Sequence, residues 1–177
     1  MSVTAWRIVK QKNEKTAFSG EGARLYGGRW NSPGTALVYT AQSQSLAALE
    51  MLVHLDSADL LGGYVFFDVI IDEAMIAAVD PITLPKNWRA EPGPAKLQAL
   101  GDAWIAAGTS CVLRVPSSLV PAESNYLLNP KHADFVKLKI GRAVPFRYDA
   151  RLAEKQQFDR RIEPSAGLIG LIAQRLS

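Results

Sequence analysis

A glutamate in an otherwise apolar stretch is the first residue in this chain whose surroundings suggest chemistry. Glu50 lies in the run from Leu46 to Leu55, where His54 is the other polar residue. In a helix these two side chains, four residues apart, share one face. Because an unpaired buried charge is costly, we expect an arginine, a protein hydroxyl or a ligand hydroxyl to meet Glu50.

Two arginines in a glycine-rich segment are the nearest candidates for that contact. Arg24 and Arg29 lie between Ser19 and Gly34, a segment with five glycines that is expected to be an irregular loop. Glycines let a ligand approach the backbone, and a guanidinium group binds phosphate in bidentate fashion. Three flanking aromatic residues are suited to stacking on a flat ring: Tyr26, Trp30 and Tyr39. Together these residue types predict a nucleotide ligand.

Each of these patterns also has a purely structural interpretation. A glutamate at a helix edge that pairs with an arginine is usually structural, and Gly27–Asn31 can be a simple turn. The glycines match neither the P-loop nor a G-x-G-x-x-G motif followed by a helix. Ser117 and Ser118 follow a Val-Pro pair without a G-x-S-x-G elbow, which disfavours a hydrolase nucleophile. From the residues alone, these alternatives stay open.

The composition disfavours several classes of ligand and partner. With two histidines and one cysteine, and without an H-E-x-x-H motif, no protein-built metal site is expected. His54 and His132 are therefore interpreted as surface or packed imidazoles. Lys plus Arg is 20 and Asp plus Glu is 17, and the net charge of +3 is too small to predict direct nucleic-acid binding.

The length and the apolar segments predict a small cytoplasmic protein. A chain of 177 residues fits one domain of roughly 150 residues with an appendage. Cys111 begins an apolar run and is expected to be a buried thiol, which fits a reducing compartment. The N-terminus lacks a signal-peptide pattern, and no apolar stretch is long enough to span a membrane, so we expect neither export nor a membrane partner.

The elements that must position these residues mix strands and helices. Strands are predicted over Ala5–Val9, Ala36–Thr40, Tyr64–Ile71, Ser110–Val115 and Phe135–Ile140. Helices are predicted over Leu46–Leu55, with a cap at Ser43 or Ser45, and over Ala95–Ala107, with Pro94 before it and Gly108 after it. Pro81–Pro94 is expected to be a long loop or lid, and Pro116–Pro130 a second long loop. An apolar end, Leu168–Leu176, follows a charged stretch and suggests a C-terminal helix.

A string of short motifs in this chain resembles the RES-domain toxins. The motifs are, in order, Gly20–Arg24, Tyr26–Asn31, Val38–Tyr39, Leu49–His54, Val115–Ser117, Asn125–Pro130 and His132. They cover about Ala5 to Leu152 and are far more specific as a series than singly. The family's characteristic arginine, glutamate and serine fall on Arg29, Glu50 and Ser117.

The resemblance implies a fold and an activity. The fold would be a single α+β domain with a mixed sheet similar to that of ADP-ribosyltransferases, with peripheral helices. The domain would comprise residues 1–152. A C-terminal extension over residues 153–177 follows it, and the resemblance implies no role for this extension. Family members are toxins of RES–Xre toxin–antitoxin pairs that degrade NAD, with inorganic phosphate or water accepting the ADP-ribose. Some relatives transfer ADP-ribose to a protein instead, and a nucleotide-binding module without catalysis is a further alternative.

The resemblance also implies site residues and partners. Residues with an expected catalytic role are Arg29, Tyr39, Glu50 and Ser117. Residues expected to bind NAD are Arg24, Tyr26, Arg29, Trp30, Asn31, Tyr39 and Asn125. The implied partner is an Xre-like antitoxin that blocks the NAD cleft, and a homodimer within a larger complex is one arrangement of the toxin.

Overall fold

The computed structural model describes residues 1–60 and 62–152, which form two compact units. The larger contains Met1–Val53 and Gly63–Phe146, and it holds the sheet and every candidate site residue. The smaller contains His54–Gly62 and the chain from Arg147, and within it a short helix, α3, runs over Ser57–Leu60. The predicted helix at Leu168–Leu176 lies outside the described residues.

A mixed sheet is the framework of the larger unit. Its strands are β1 (Ser2–Lys10), β2 (Val38–Ala41), β3 (Tyr64–Asp72), β4 (Ile76–Ala78), β5 (Val112–Pro116), β6 (Ser124–Leu128), β7 (Lys139–Ile140) and β8 (Val144–Phe146). Their order is β4-β5-β6-β2-β1-β3-β7, and β8 also pairs with β3. The β4–β5 pair is parallel and the others are antiparallel. This mixed sheet with helices confirms the predicted α+β class.

The longest pairing joins β1 to β3, from Ser2 opposite Asp72 to Lys10 opposite Tyr64. Both strands were predicted, and both extend slightly beyond the predicted ends because each supplies the other with backbone hydrogen bonds over its full length. Ala5, Val69 and Ile71 on these strands are completely buried.

The central strands are buried on both faces. Leu127 packs with Trp30, Leu97 and Trp104, whereas its neighbour Leu128 packs in a separate cluster that includes Val38, Val69 and Val112. Successive side chains of a strand point to opposite faces, so both faces of β6 are covered. A one-residue slip would exchange the two clusters, and the register of β5, β6 and β2 is therefore firmly set.

Two predicted helices are present, one of them shortened. Helix α2, Gln44–Leu52, begins at Ser43, whose hydroxyl accepts a hydrogen bond from Leu46 N. It ends with Val53 as its C-cap, so His54 lies beyond the helix, and the predicted shared face of Glu50 and His54 is wrong. Helix α4, Ala95–Ala107, ends at Gly108, whose φ of 57° is in the left-handed region that glycine favours.

Three predicted segments need correction. The glycine-rich segment contains a helix, α1, over Glu21–Tyr26, which starts from Gly20 at a φ of 71°. The predicted loop 116–130 contains β6, because its apolar residues complete both core clusters between β5 and β2. The first half of the predicted strand 135–140 belongs to a 3-10 helix, Ala133–Lys137, and the part that forms a strand is β7.

His132 explains the last of these corrections. Its Nδ1 accepts a hydrogen bond from Asp134 N at 3.0 Å and so caps the 3-10 helix. Its Nε2 lies 3.1 Å from the carbonyl oxygen of Gly108. These contacts confirm the interpretation of His132 as a packed imidazole.

Cys111 is 1% exposed, as predicted for a buried thiol. Burial, together with the negative charge of Asp134, raises the pKa of this thiol to about 11. Among the described helices, none has the length and apolar character needed to cross a membrane.

Candidate functional site

Glu50 receives two hydrogen bonds on one carboxylate oxygen. Ser117 Oγ donates to Glu50 Oε1 at 2.8 Å, and Asn125 Nδ2 donates to the same oxygen at 2.8 Å. The expected protein hydroxyl is therefore found. The suggestion that Arg24 or Arg29 pairs with Glu50 is wrong, since both guanidinium groups bind other residues. Oε1 is thus the carboxylate oxygen that the protein holds.

Three neighbouring strands bring these residues together. Asn125 on β6 lies opposite Ala41 of β2 on one side and Val115 of β5 on the other. Ser117 directly follows β5, while the chain after β2 turns into α2 and carries Glu50. The start of α2 is tied to this edge, since the capping Ser43 Oγ donates to Glu123 Oε2 at 2.9 Å.

Ser117 is completely buried and its hydroxyl is fully used within the chain. Besides donating to Glu50, Oγ accepts hydrogen bonds from Leu119 N and Val120 N, both at 3.1 Å. A hydroxyl has one proton and two lone pairs, so these three contacts exhaust it. In this arrangement the Ser117 hydroxyl holds Glu50 and has no further hydrogen-bonding capacity.

Asn125 has one satisfied and one unsatisfied end. Its Nδ2 binds Glu50, whereas Oδ1 is buried without a hydrogen-bond partner in the described part of the chain. Exchanging the two ends would place an amide oxygen against the carboxylate, so the contact with Glu50 fixes the orientation. A buried acceptor without a donor costs about 1–3 kcal/mol. The orientation that leaves Oδ1 unpaired is also the one in which Nδ2 can donate to Glu50.

Tyr39 on β2 fixes the glycine-rich segment. Its Oη donates to Asn31 Oδ1 at 2.8 Å and accepts from Trp30 N at 3.1 Å. Burial raises the pKa of Tyr39 far above its usual range and outweighs the effects of Trp30 N–H and the Arg29 charge, so the phenol stays protonated. Gly28 is needed here, because a Cβ at that position would lie 2.5 Å from Tyr39 Oη.

Asn31 and Trp30 lie in the interior of the protein. Asn31 is fully buried, and its Nδ2 donates to the carbonyl oxygens of Ala23 at 2.9 Å and Thr35 at 3.0 Å. Trp30 is 2% exposed and packs in the core beside Trp104. The structure therefore gives both residues a role in shaping the segment, and it does not present Trp30 as a stacking surface.

Arg24 and Tyr26 lie on α1, close to solvent. Arg24 forms a bidentate ion pair with Glu21: Nε donates to Oε2 at 2.8 Å and Nη2 donates to Oε1 at 2.6 Å. Tyr26 is 84% exposed. Of the three aromatic residues singled out in the sequence, Tyr26 is the one with its ring open to solvent.

Arg29 is engaged by the proline-containing loop. Its Nη1 donates to the carbonyl oxygens of Trp88 and Ala90, both at 2.9 Å, and its Nη2 lies 2.9 Å from Glu91 Oε2. The segment predicted as a loop or lid, 81–94, is thus in direct contact with the arginine predicted to bind phosphate.

Two charged residues that support the site were not singled out in the sequence. Arg7 on β1 donates from Nε to the carbonyl oxygen of Ala17 and from Nη1 to that of Tyr39, the latter at 2.7 Å. Burial lowers the pKa of Arg7 to about 10. Asp102 on α4 accepts hydrogen bonds from Ser32 N at 3.1 and 3.3 Å.

A signal for Arg7 was present in the sequence. Ala5, Arg7 and Val9 are every second residue of a predicted strand. Their side chains therefore point to the same face of the sheet, and the other two are apolar. A charge in that series indicates a buried guanidinium with specific partners.

The chain is similar to known proteins along most of its length. The model of the RES domain matches residues 4–149. "Toxin Res" of Yersinia enterocolitica serotype O:8 / biotype 1B is 40% identical over 148 residues, which cover 83% of this chain and 97% of that protein. The "Prs ADP-ribosylating toxin" of Sphingobium sp. (strain YBL2) is 38% identical over 160 residues, covering 88% and 99% of the two chains.

A solved structure shares the fold. A chain in the M. tuberculosis MbcT-MbcA toxin-antitoxin complex superposes with a TM-score of 0.69 at 20% identity, covering 89% of this chain and 90% of that one. At this identity the likeness concerns the fold. The sequence matches are stronger, and they show that this chain belongs to the RES domain family.

Proposed function

We propose that this protein is the toxin of a toxin–antitoxin pair and that it consumes NAD by cleaving the nicotinamide–ribose bond. The observation that carries the proposal is the Glu50 carboxylate, held through Oε1 by Ser117 and Asn125 in a chain of the RES family. Relatives of similar length are named as toxins, one of them as an ADP-ribosylating toxin, and these names support the same class of reaction.

The proposed reaction needs positioning and negative charge more than acid catalysis. Breaking the bond between nicotinamide and the ribose anomeric carbon passes through an oxocarbenium-like state, as glycoside cleavage does. Nicotinamide leaves as a neutral molecule and takes the bonding electron pair with it. An oxygen of phosphate or water then forms the new bond to the anomeric carbon, and when water is the acceptor one of its protons is released to the solvent. A fixed carboxylate close to the developing positive charge stabilises this state.

The other site residues divide into ligand contacts and supports. Glu50 Oε2 accepts a hydrogen bond from a ribose hydroxyl in this proposal, while Arg29 and Arg24 bind the pyrophosphate. Tyr26 is exposed and suited to stacking on a ring. Tyr39 and Asn31 act by holding the glycine-rich segment.

A protein ADP-ribosyltransferase is the second candidate. The specific observation in its favour is the relative named "Prs ADP-ribosylating toxin", 99% of which is covered by this chain at 38% identity. The acceptor of ADP-ribose would then be a protein side chain instead of phosphate or water. A module that only binds nucleotides would leave NAD intact.

Incubation with NAD, with and without phosphate, followed by mass analysis of the products, separates these functions. Phosphorolysis yields a phosphorylated ADP-ribose, hydrolysis yields ADP-ribose, and protein transfer adds ADP-ribose to an added protein extract. Glu50→Gln keeps the size of the side chain and removes its charge. We expect it to lose about 3 kcal/mol of transition-state stabilisation, roughly a hundredfold in rate, by analogy with lost oxyanion-hole donors.

The matched control is Glu14→Gln, which makes the same charge change at an exposed position. It should consume NAD at the wild-type rate. If Glu50→Gln did so as well, the proposed role of Glu50 would be wrong.

We further propose that the partner is an Xre-like antitoxin that covers the NAD cleft in the cytoplasm. Expression of this chain alone should stop growth, and co-expression of the adjacent gene should restore it. Growth arrest that persists with the adjacent gene would contradict this partner.

A further inference from the structure

Part of the proline-containing loop touches the candidate site at two points. Through Arg29 it meets the glycine-rich segment, as described above. At the other point Arg89 Nε donates to the carbonyl oxygen of Ser118 at 3.0 Å, directly after the serine that holds Glu50. The segment Trp88–Glu91, here called the strap, therefore connects Arg29 to the loop after β5.

The strap gives Arg29 two different kinds of partner. Nη1 binds the carbonyl oxygens of Trp88 and Ala90, which are uncharged backbone groups of the loop. Nη2 binds the Glu91 carboxylate, whose side chain is 83% exposed, whereas that of Arg29 is 17% exposed. The contact with Trp88 is partly buried and the one with Ala90 is exposed, so the two backbone bonds hold Nη1 from the loop itself. The ion pair with Glu91 is exposed, and an exposed ion pair is weak and easily exchanged.

The packing around the guanidinium is tight. A Cβ built on Gly93 would lie 3.0 Å from Arg29 Nη1 and 3.3 Å from its Cγ. The backbone of the loop thus approaches Nη1 closely, while Nη2 contacts the Glu91 carboxylate.

We propose that the strap prepares Arg29 for a phosphate group: its carbonyl oxygens orient the guanidinium, and the Glu91 carboxylate occupies Nη2 until a ligand phosphate displaces it. Glu91 is then an internal competitor that weakens phosphate binding. The inference rests on the proposed function in that it takes the ligand to be a dinucleotide with two phosphates. Its chemistry is that of pyrophosphate, which serves as the probe.

The test is the binding of inorganic pyrophosphate, measured by titration calorimetry at fixed ionic strength. Wild type is compared with Glu91→Gln, which removes the competing charge, and with Glu73→Gln, which makes the same charge change at another exposed glutamate. We expect Glu91→Gln to bind pyrophosphate up to about fivefold more tightly, because an exposed ion pair no longer has to be broken. Glu73→Gln should leave the Kd unchanged. The gain should disappear in an Arg29→Gln background, because the competition acts through Arg29.

Three results would overturn the inference: the same Kd for Glu91→Gln and Glu73→Gln, a gain that persists without Arg29, or no pyrophosphate binding by either wild type or Glu91→Gln. NAD consumption is measured on the same preparations. If Glu91→Gln binds pyrophosphate more tightly as expected but NAD stays intact, the proposed function is wrong and the proposed role of the strap is supported. If NAD is consumed but the pyrophosphate affinities do not change as expected, only the proposed role of the strap is wrong.

Discussion

At the scale of single residues, the Glu50 carboxylate depends on a serine whose hydroxyl is used entirely within the protein. Ser117 connects Glu50 to two backbone N–H groups in the turn that follows β5. The position of the carboxylate is thereby linked to the conformation of that turn. A substitution at Ser117 is expected to act on both stability and activity.

Ser117→Ala should lower the free energy of unfolding by about 1–3 kcal/mol, because Leu119 N and Val120 N lose their buried acceptor. It should also slow NAD consumption, since one of the two donors to Glu50 is gone. Urea denaturation and the NAD assay measure the two effects. Ser118→Ala, at the neighbouring partly buried serine, is the control and should change neither by much.

Asp102 should make stability depend on pH in the acid range. Burial acts to raise its pKa, but hydrogen bonds from Ser32 and Thr35 outweigh that effect and lower the pKa overall. A carboxylate with a lowered pKa stabilises the fold above its ordinary pKa of about 3.9, and this contribution disappears as the pH falls through the folded-state value. Urea denaturation of wild type and Asp102→Asn should show a difference near pH 6 that shrinks below about pH 4. A difference that stays constant with pH would refute this role of the charge.

At the scale of elements, α4 and the glycine-rich segment meet with no space between them. A Cβ on Gly101 would lie 1.8 Å from the carbonyl oxygen of Trp30, a backbone atom that no rotamer change can move. Trp30 stands between Arg29 and Asn31, so the packing of one helix sets the position of the segment that carries the arginine.

Gly101→Ala should destabilise the protein by about 3 kcal/mol, the upper end of the usual range for overpacking, and should weaken NAD consumption. An alanine normally stabilises a helix relative to glycine by about 0.5–1 kcal/mol. Gly22→Ala in α1 provides that comparison, since a Cβ there would have nothing within 4 Å. Thermal unfolding of both variants checks the prediction, and a stabilised Gly101→Ala would contradict the close contact.

The elements found from the sequence were those with strong local signals. β3 is rich in β-branched and aromatic residues, and α4 has an apolar stripe and a glycine cap. β6 was missed because its five residues stand between prolines and are held as a strand by β5 and β2, which is a tertiary effect. The 3-10 helix at Ala133–Lys137 overlaps a predicted strand, because the pattern over Phe135–Ile140 alternates, whereas the cap at His132 determines the helix.

The site shows the same contrast between local sequence signals and tertiary contacts. The apolar surroundings of Glu50 indicated that it needs a partner, but its partners lie 67 and 75 residues away in sequence and no local spacing reveals them. They entered the prediction through the resemblance to the RES family. The attachment of Arg29 to the strap could not be predicted, because it depends on how the loop 88–91 folds onto the arginine.

At the scale of the whole molecule, the family match ends at residue 149, and the chain beyond Leu152 lies outside the described residues. The Yersinia relative is covered to 97% of its length by a match that takes in 83% of this chain. We therefore predict that a chain truncated after Leu152 still consumes NAD. The assay compares it with the full chain, and circular dichroism checks that both are folded. A folded but inactive truncated chain would show that residues 153–177 contribute to activity.

The order of the strands determines when the site is completed during synthesis. Asn125 lies on β6, between β5 and β2, so Glu50 acquires its two donors only after distant parts of the chain have paired. Contacts between distant residues form late, because closing a long loop costs entropy. A chain emerging from the ribosome exposes Glu50 early, and it lacks the donors until β6 has emerged as well. The growing polypeptide therefore spends most of its synthesis without the two side chains that hold Glu50.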